Sequence, residues 1–96
     1  MPSVTNKGGH ISQNGNAQNY AGVDQAVATQ IPAAPATATW VITLTNVPTQ
    51  TNFLVGQALT YNSKGTNNHN ADNNLTVAQV NGPTKYTCNG NWPMNI

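Results

Sequence analysis

The chain has 96 residues, enough for one small domain, and only 5% of them are charged, far below the roughly one quarter of an ordinary soluble domain. Its charges are Lys7, Lys64, Lys85, Asp24 and Asp72, a formal net charge of +1, with no Glu and no Arg. Three scattered lysines cannot neutralise a phosphate backbone or hold an anionic membrane surface, and no apolar run approaches the ~20 residues that span a bilayer; neither nucleic acid nor membrane is expected as a partner.

Residues 1–36 open with "SVTNKGGHISQNGNAQNYAG", rich in Asn, Gln and Gly and without a sustained period. "VDQAVATQI" follows, with Val23, Val27 and Ile31 spaced four apart, which suits a short helix or one face of a strand equally well. Pro32 and Pro35 then force an extended path. The segment reads as an extended N-terminal arm, whose loss (removal of residues 1–30) is expected to leave the rest folded. "MPSVTNKGGH" has no apolar stretch, so the expectation is either a route without secretion or a leader already removed.

From Thr37 the period becomes two. In "TATWVITLTN", Ala38, Trp40, Ile42 and Leu44 share one face, and Thr37, Thr39, Thr43 and Thr45 the other. "VPTQTN" is a turn around Pro48. "FLVGQALTY" is a second strand, with Phe53, Val55, Leu59 and Tyr61 on one face. A polar loop, "NSKGTNNHNADNN", leads to a third strand, "LTVAQV", an Asn81-Gly82 hairpin turn, a fourth strand, "PTKYTC", and a second turn at Asn89-Gly90. The tail "NWPMNI" places Trp92, Met94 and Ile96 in alternation. The fold expected is mainly β: a small antiparallel β-sandwich or open barrel of about four to six strands over 37–96, preceded by the arm over 1–36.

No constellation for catalysis or metal binding stands out. His10 and His69 are expected in different polar loops; Asp72, three residues from His69, is the single carboxylate of its loop. Titratable groups are too dispersed for paired acid–base work, and Ser3, Ser12 and Ser63 lack an elbow motif. Cys88 is alone, so no intrachain disulfide can staple the core, and nothing near it favours a thiolate. No catalytic, cofactor or metal residue is assigned, and an enzyme is not expected.

What the sequence does offer is a solvent-side strand face without charge. Edge and surface strands ordinarily carry Lys or Glu to stay apart. Threonine and asparagine can instead be covered by protein at little net cost, because a hydroxyl or amide that finds a partner is nearly neutral whereas a stripped ion costs several kcal/mol. The candidate contact residues are therefore Val23, Val27 and Ile31 in the arm, Thr39, Thr43 and Thr45 on the strand face, and Trp92, Met94 and Ile96 in the tail. The expected partners are further copies of the chain and other subunits of one assembly.

In its missing leader, low charge, small β-core and extended ends, the chain resembles small bacteriophage virion proteins, the head decoration (cement) and tail-associated subunits. That resemblance is compositional and transfers no residue. It implies a subunit made in the host cytoplasm and used in the virion, clamping neighbouring major-capsid-like subunits through its arm. Two alternatives are a filament or surface-layer subunit at the cell exterior that assembles by strand addition, and a carbohydrate-binding adhesive module using Trp40, Tyr61, Tyr86 or Trp92 as an aromatic platform.

Overall fold

A computed structural model of the chain describes residues 3–13, 19–31, 39–63 and 73–92. Eight strands are formed: β1 (Ser3–Asn6), β2 (Gly9–Gln13), β3 (Asn19–Val23), β4 (Gln25–Gln30), β5 (Trp40–Thr45), β6 (Ala58–Asn62), β7 (Asn73–Gly82) and β8 (Lys85–Gly90). Among the described residues there is no helix, hence none long and apolar enough to cross a membrane. The strands make one antiparallel sheet in the order β1-β4-β5-β8-β7-β6-β2-β3. The fold is mainly β and of open-barrel type, as expected, but with eight strands rather than four to six.

The largest departure lies in residues 1–36. Instead of an arm, they supply four of the eight strands, two at each side of the sheet. Ser3↔Thr29 through Asn6↔Ala26 and Gly9↔Val23 through Ser12↔Asn19 are two halves of one long hairpin. The hairpin bends where Lys7 and Gly8 link β1 to β2 and Asp24 links β3 to β4. Since β1 and β4 lie on one side of the sheet and β2 and β3 on the other, the sheet must curl until its sides meet at this corner. Gly8 has φ of 79°, a left-handed conformation that costs an L side chain ~1–2 kcal/mol. Its N–H donates to the Val23 carbonyl at 3.0 Å, so the ladder continues around the bend. On β3, Gly22 is an extra residue between Val23, opposite Gly9, and Ala21, opposite His10; this bulge adds local twist. Removing residues 1–30 would therefore strip both sides of the sheet.

The corner also decides which residues face inward. "VDQAVATQI" is strand, but Val23 is fully buried while Ala26 and Ala28, not Val27, continue the inner face. The bend at Asp24 shifts the alternation by one residue, and Ile31 ends 50% exposed. Alanine is right for β4 because its neighbour β5 is large: Ile42 lies opposite Ala28 and Leu44 opposite Ala26. Trp40, Ile42 and Leu44 then pack with Leu59, Leu75, Val77, Tyr86 and Cys88 in a single core.

The second expected strand forms only from Ala58 onward. Residues 51–57 make a loop that delivers Phe53 to the core, where its ring lies 5.4 Å from Tyr86 and 6.1 Å from Tyr20. The Phe53 N–H donates to the Tyr86 hydroxyl at 3.2 Å. Val55, expected inward with Phe53, instead sits 64% exposed at the loop tip beside Leu54. Gly56, with φ of 88°, turns the chain there, and its N–H donates to the Val77 carbonyl at 2.8 Å.

The β7–β8 turn is made by Pro83 and Thr84, not by Asn81-Gly82. None of these four residues adopts positive φ, as a type I′ turn would require, and Pro83 suits the first corner position of a type I turn. Asn89-Gly90 is not a turn either: Gly90 closes β8, opposite both Trp40 and Leu75. A Cβ on Gly90 would run into the carbonyl oxygen of Asn74, a backbone atom that cannot swing aside. Gly90→Ala is accordingly expected to destabilise the fold by ~1–3 kcal/mol, read as a lower urea midpoint; an unchanged midpoint would show that β7 is not pressed against β8 there.

Candidate interaction surface

Among the described residues, chemistry-bearing side chains do not converge. Among the described residues no group of three or more His, Cys, Asp or Glu could hold a metal ion. His10 lies half-buried on β2, whereas His69, Asp72 and Lys64 fall outside the described residues. Cys88 points into the core from β8, and burial pushes its thiol up to about 12. A thiol so held is buried and protonated at physiological pH, the state of low reactivity.

The aromatic residues are also committed. Trp40, Tyr61, Tyr86 and Trp92 are all buried. Trp92, expected at the surface, is only 3% exposed because the chain after β8 lays its indole on the Tyr61 ring, with centroids 5.2 Å apart and planes 29° from parallel. Burying the large ring outweighs keeping it free for a partner. The Tyr61 hydroxyl accepts a 2.7 Å hydrogen bond from Asn6 Nδ2, tying β1 to β6 across the interior. Its ring covers Gly9, where a Cβ would collide with it. These four rings thus offer no sugar platform.

What the strands do bring together is an uncharged outer face. The registers align Thr5, Val27, Thr43, Thr87 and Gln79 in one row across five strands. Ser3, Thr29, Val41, Asn89 and Thr76 form a second. Gln25 and Thr45 begin a third. All these side chains are exposed or half-buried, and none is titratable. Strand spacing of about 4.8 Å makes each row a near-regular ladder of hydroxyls, amides and methyls.

The charges among the described residues are set apart. Lys7 follows β1, Asp24 precedes β4 and Lys85 opens β8, all at the end of the sheet marked by Asn6↔Ala26, Gln25↔Thr45 and Leu44↔Tyr86. All three are exposed there, and Asp24 accepts a 3.3 Å hydrogen bond from Asn46 Nδ2. Residues 25–63 contain no Asp, Glu, Lys, Arg or His at all. Among the described residues, one end of the sheet carries charge and the outer face beside it carries none.

Of the candidate contact residues, Val27, Thr43 and Thr45 share this face. Thr39 and Ile31 lie at the opposite end from the charges, where the Ile31 N–H donates to the Thr39 carbonyl at 3.3 Å. Val23 and Trp92 are core residues and drop out. Met94 and Ile96 lie outside the described residues. Sequence reasoning did not single out Thr5, Thr29 and Thr87, because their strands were assigned to an arm or their outward side chains were not aligned with Thr43. Compared with known proteins, the chain matches no family model, no curated protein and no solved structure.

The sealed thiol gives a direct check. Cys88 should resist a thiol reagent at pH 8 in the native protein and react within minutes in denaturant; rapid native labelling would overturn its placement.

Proposed function

We propose that the chain is a structural, non-enzymatic subunit of a large protein assembly, of the head decoration (cement) kind found on bacteriophage particles. The observation that supports this reading is the charge-free outer face across β1, β4, β5, β8 and β7, with Lys7, Asp24 and Lys85 gathered at one end. A face built for water would use charge freely, because an exposed Lys or Glu costs nothing to solvate. A face built to be covered avoids it, because each ion trapped without a partner costs several kcal/mol. The charged end then stays in solvent while the Thr/Asn face docks on a neighbouring subunit. Residues 3–6, 9–13, 19–23 and 25–30 belong to the sheet, so docking uses this built surface rather than a threaded arm.

The test is fractionation of particles from the producing host on a density gradient. The chain is expected in the particle band, at a fixed ratio to the major coat subunit. Thr43→Lys, at the centre of the face, should lower its incorporation at least about tenfold with an unchanged thermal midpoint. A chain found only among free proteins, or a lysine variant incorporated as fully as the native chain, would overturn the reading.

A further inference from the structure

We propose that β1 is a docking edge that accepts the β1 strand of a second copy, joining two sheets antiparallel across a two-fold axis. The inference takes the chain to be an assembly subunit, as above, and names one of its contacts. Among the described residues, β1 pairs only with β4, so its outer side leaves backbone N–H and C=O groups without a strand. Such an edge is a template for pairing unless something blunts it.

The two edges of this sheet differ in that respect. Edge strand β3 carries the Gly22 bulge, which twists its ladder away from a flat partner. Edge strand β1 is short, at four residues, but is not otherwise blunted: Ser3, Val4, Thr5 and Asn6 include no charge and no proline, and their register with β4 is unbroken. It is also held rigidly. Val4 packs against the core, and Asn6 is tied to the buried Tyr61 hydroxyl at 2.7 Å. An edge fixed before the encounter loses little entropy when it pairs.

The strand itself favours its own copy as partner. A two-fold ladder that keeps both inner faces on one side places Val4 opposite Val4 of the second copy and Ser3 opposite Thr5. No charged side chain then meets another, and the two Lys7 residues fall at opposite ends, beyond the pairing. Val4, half-buried in the single chain, gains a cross-strand apolar neighbour. The uncharged rows that begin at Ser3 and Thr5 run on into the second copy and double in width. Four residues bury far less than the about 800 Å² per partner of a stable isolated dimer, so the pair is weak alone and gains strength from repetition within an assembly.

The experiment is sedimentation velocity on the full chain over a concentration series up to about 1 mM, with native protein, Ser3→Lys/Thr5→Lys, Ser3→Glu/Thr5→Glu and an equimolar mixture of the two variants. Both altered side chains are exposed, and thermal midpoints within a few degrees of native verify folding. Native protein should move toward dimer as concentration rises, and each variant should remain monomeric because like charges oppose one another. The mixture should recover association, since Lys then faces Glu on both rungs. Should a variant fail to fold, amide exchange of β1 in native protein decides: protection rising with concentration at residues 3–6 supports the pairing, and constant protection overturns it. Native protein monomeric throughout, a lysine variant that associates like native, or a mixture that stays monomeric would each overturn it. A chain that stays monomeric yet joins particles removes this pairing and leaves the assembly reading intact; one that pairs but never joins particles does the reverse.

Discussion

Everything in this molecule depends on the corner at Gly8 and Asp24. One hairpin, made from the first third of the chain, bends there and passes both of its strands from one side of the sheet to the other. Flat strands cannot do this; a left-handed glycine and a bulge at Gly22 supply the turn and twist that a curled sheet needs. With the corner in place, β4 lies beside β5 and β2 beside β6. The small Ala26 and Ala28 are then matched to Leu44 and Ile42, and Tyr61 is brought over Gly9 to meet Asn6. Without disulfides, a chain of this size holds together because this arrangement gathers sixteen buried apolar side chains into one cluster.

The same corner explains how much of the fold was legible in the sequence. β5 was plain, because Trp40, Ile42 and Leu44 alternate with Val41, Thr43 and Thr45 in a regular β-branched pattern. β7 and β8 were close to plain, with ends displaced by a few residues. The four strands before them were hidden because Gly, Asn and Gln dominate their composition and the bend resets the alternation midway. Val23 and Val27 consequently seem to share a face when written out, yet they point to opposite sides. Turn chemistry misled in a related way: Asn81-Gly82 is a good hairpin pair, but Pro83 next to it fixes the turn one step later. Trp92 and Val55 exchanged their expected places, since a loop or tail is not bound to the period of the strand beside it.

The candidate surface was legible in kind and not in extent. An uncharged threonine face could be read from β5 alone. Its continuation through Thr5, Thr29, Thr87 and Asn89 needed the strand order, which no local pattern encodes. The gathering of Lys7, Asp24 and Lys85 at one end is likewise a product of topology, because the three are far apart in sequence. Charge placement among the described residues therefore gives the sheet a polarity that the near-zero net charge of the chain conceals.

Strand order has one more effect, on how the chain is made. The last strand to leave the ribosome, β8, takes a place in the middle of the sheet between β5 and β7. Until it arrives, β1-β4-β5 and β7-β6-β2-β3 are ribbons with no strand pairing between them, joined by the bent hairpin, the β5–β6 connection and the Asn6–Tyr61 hydrogen bond. Birth order and spatial order run against each other, so the sheet is continuous only once β8 is in place. A proteolytic cut just before Lys85 would open the sheet along its centre rather than trim its rim.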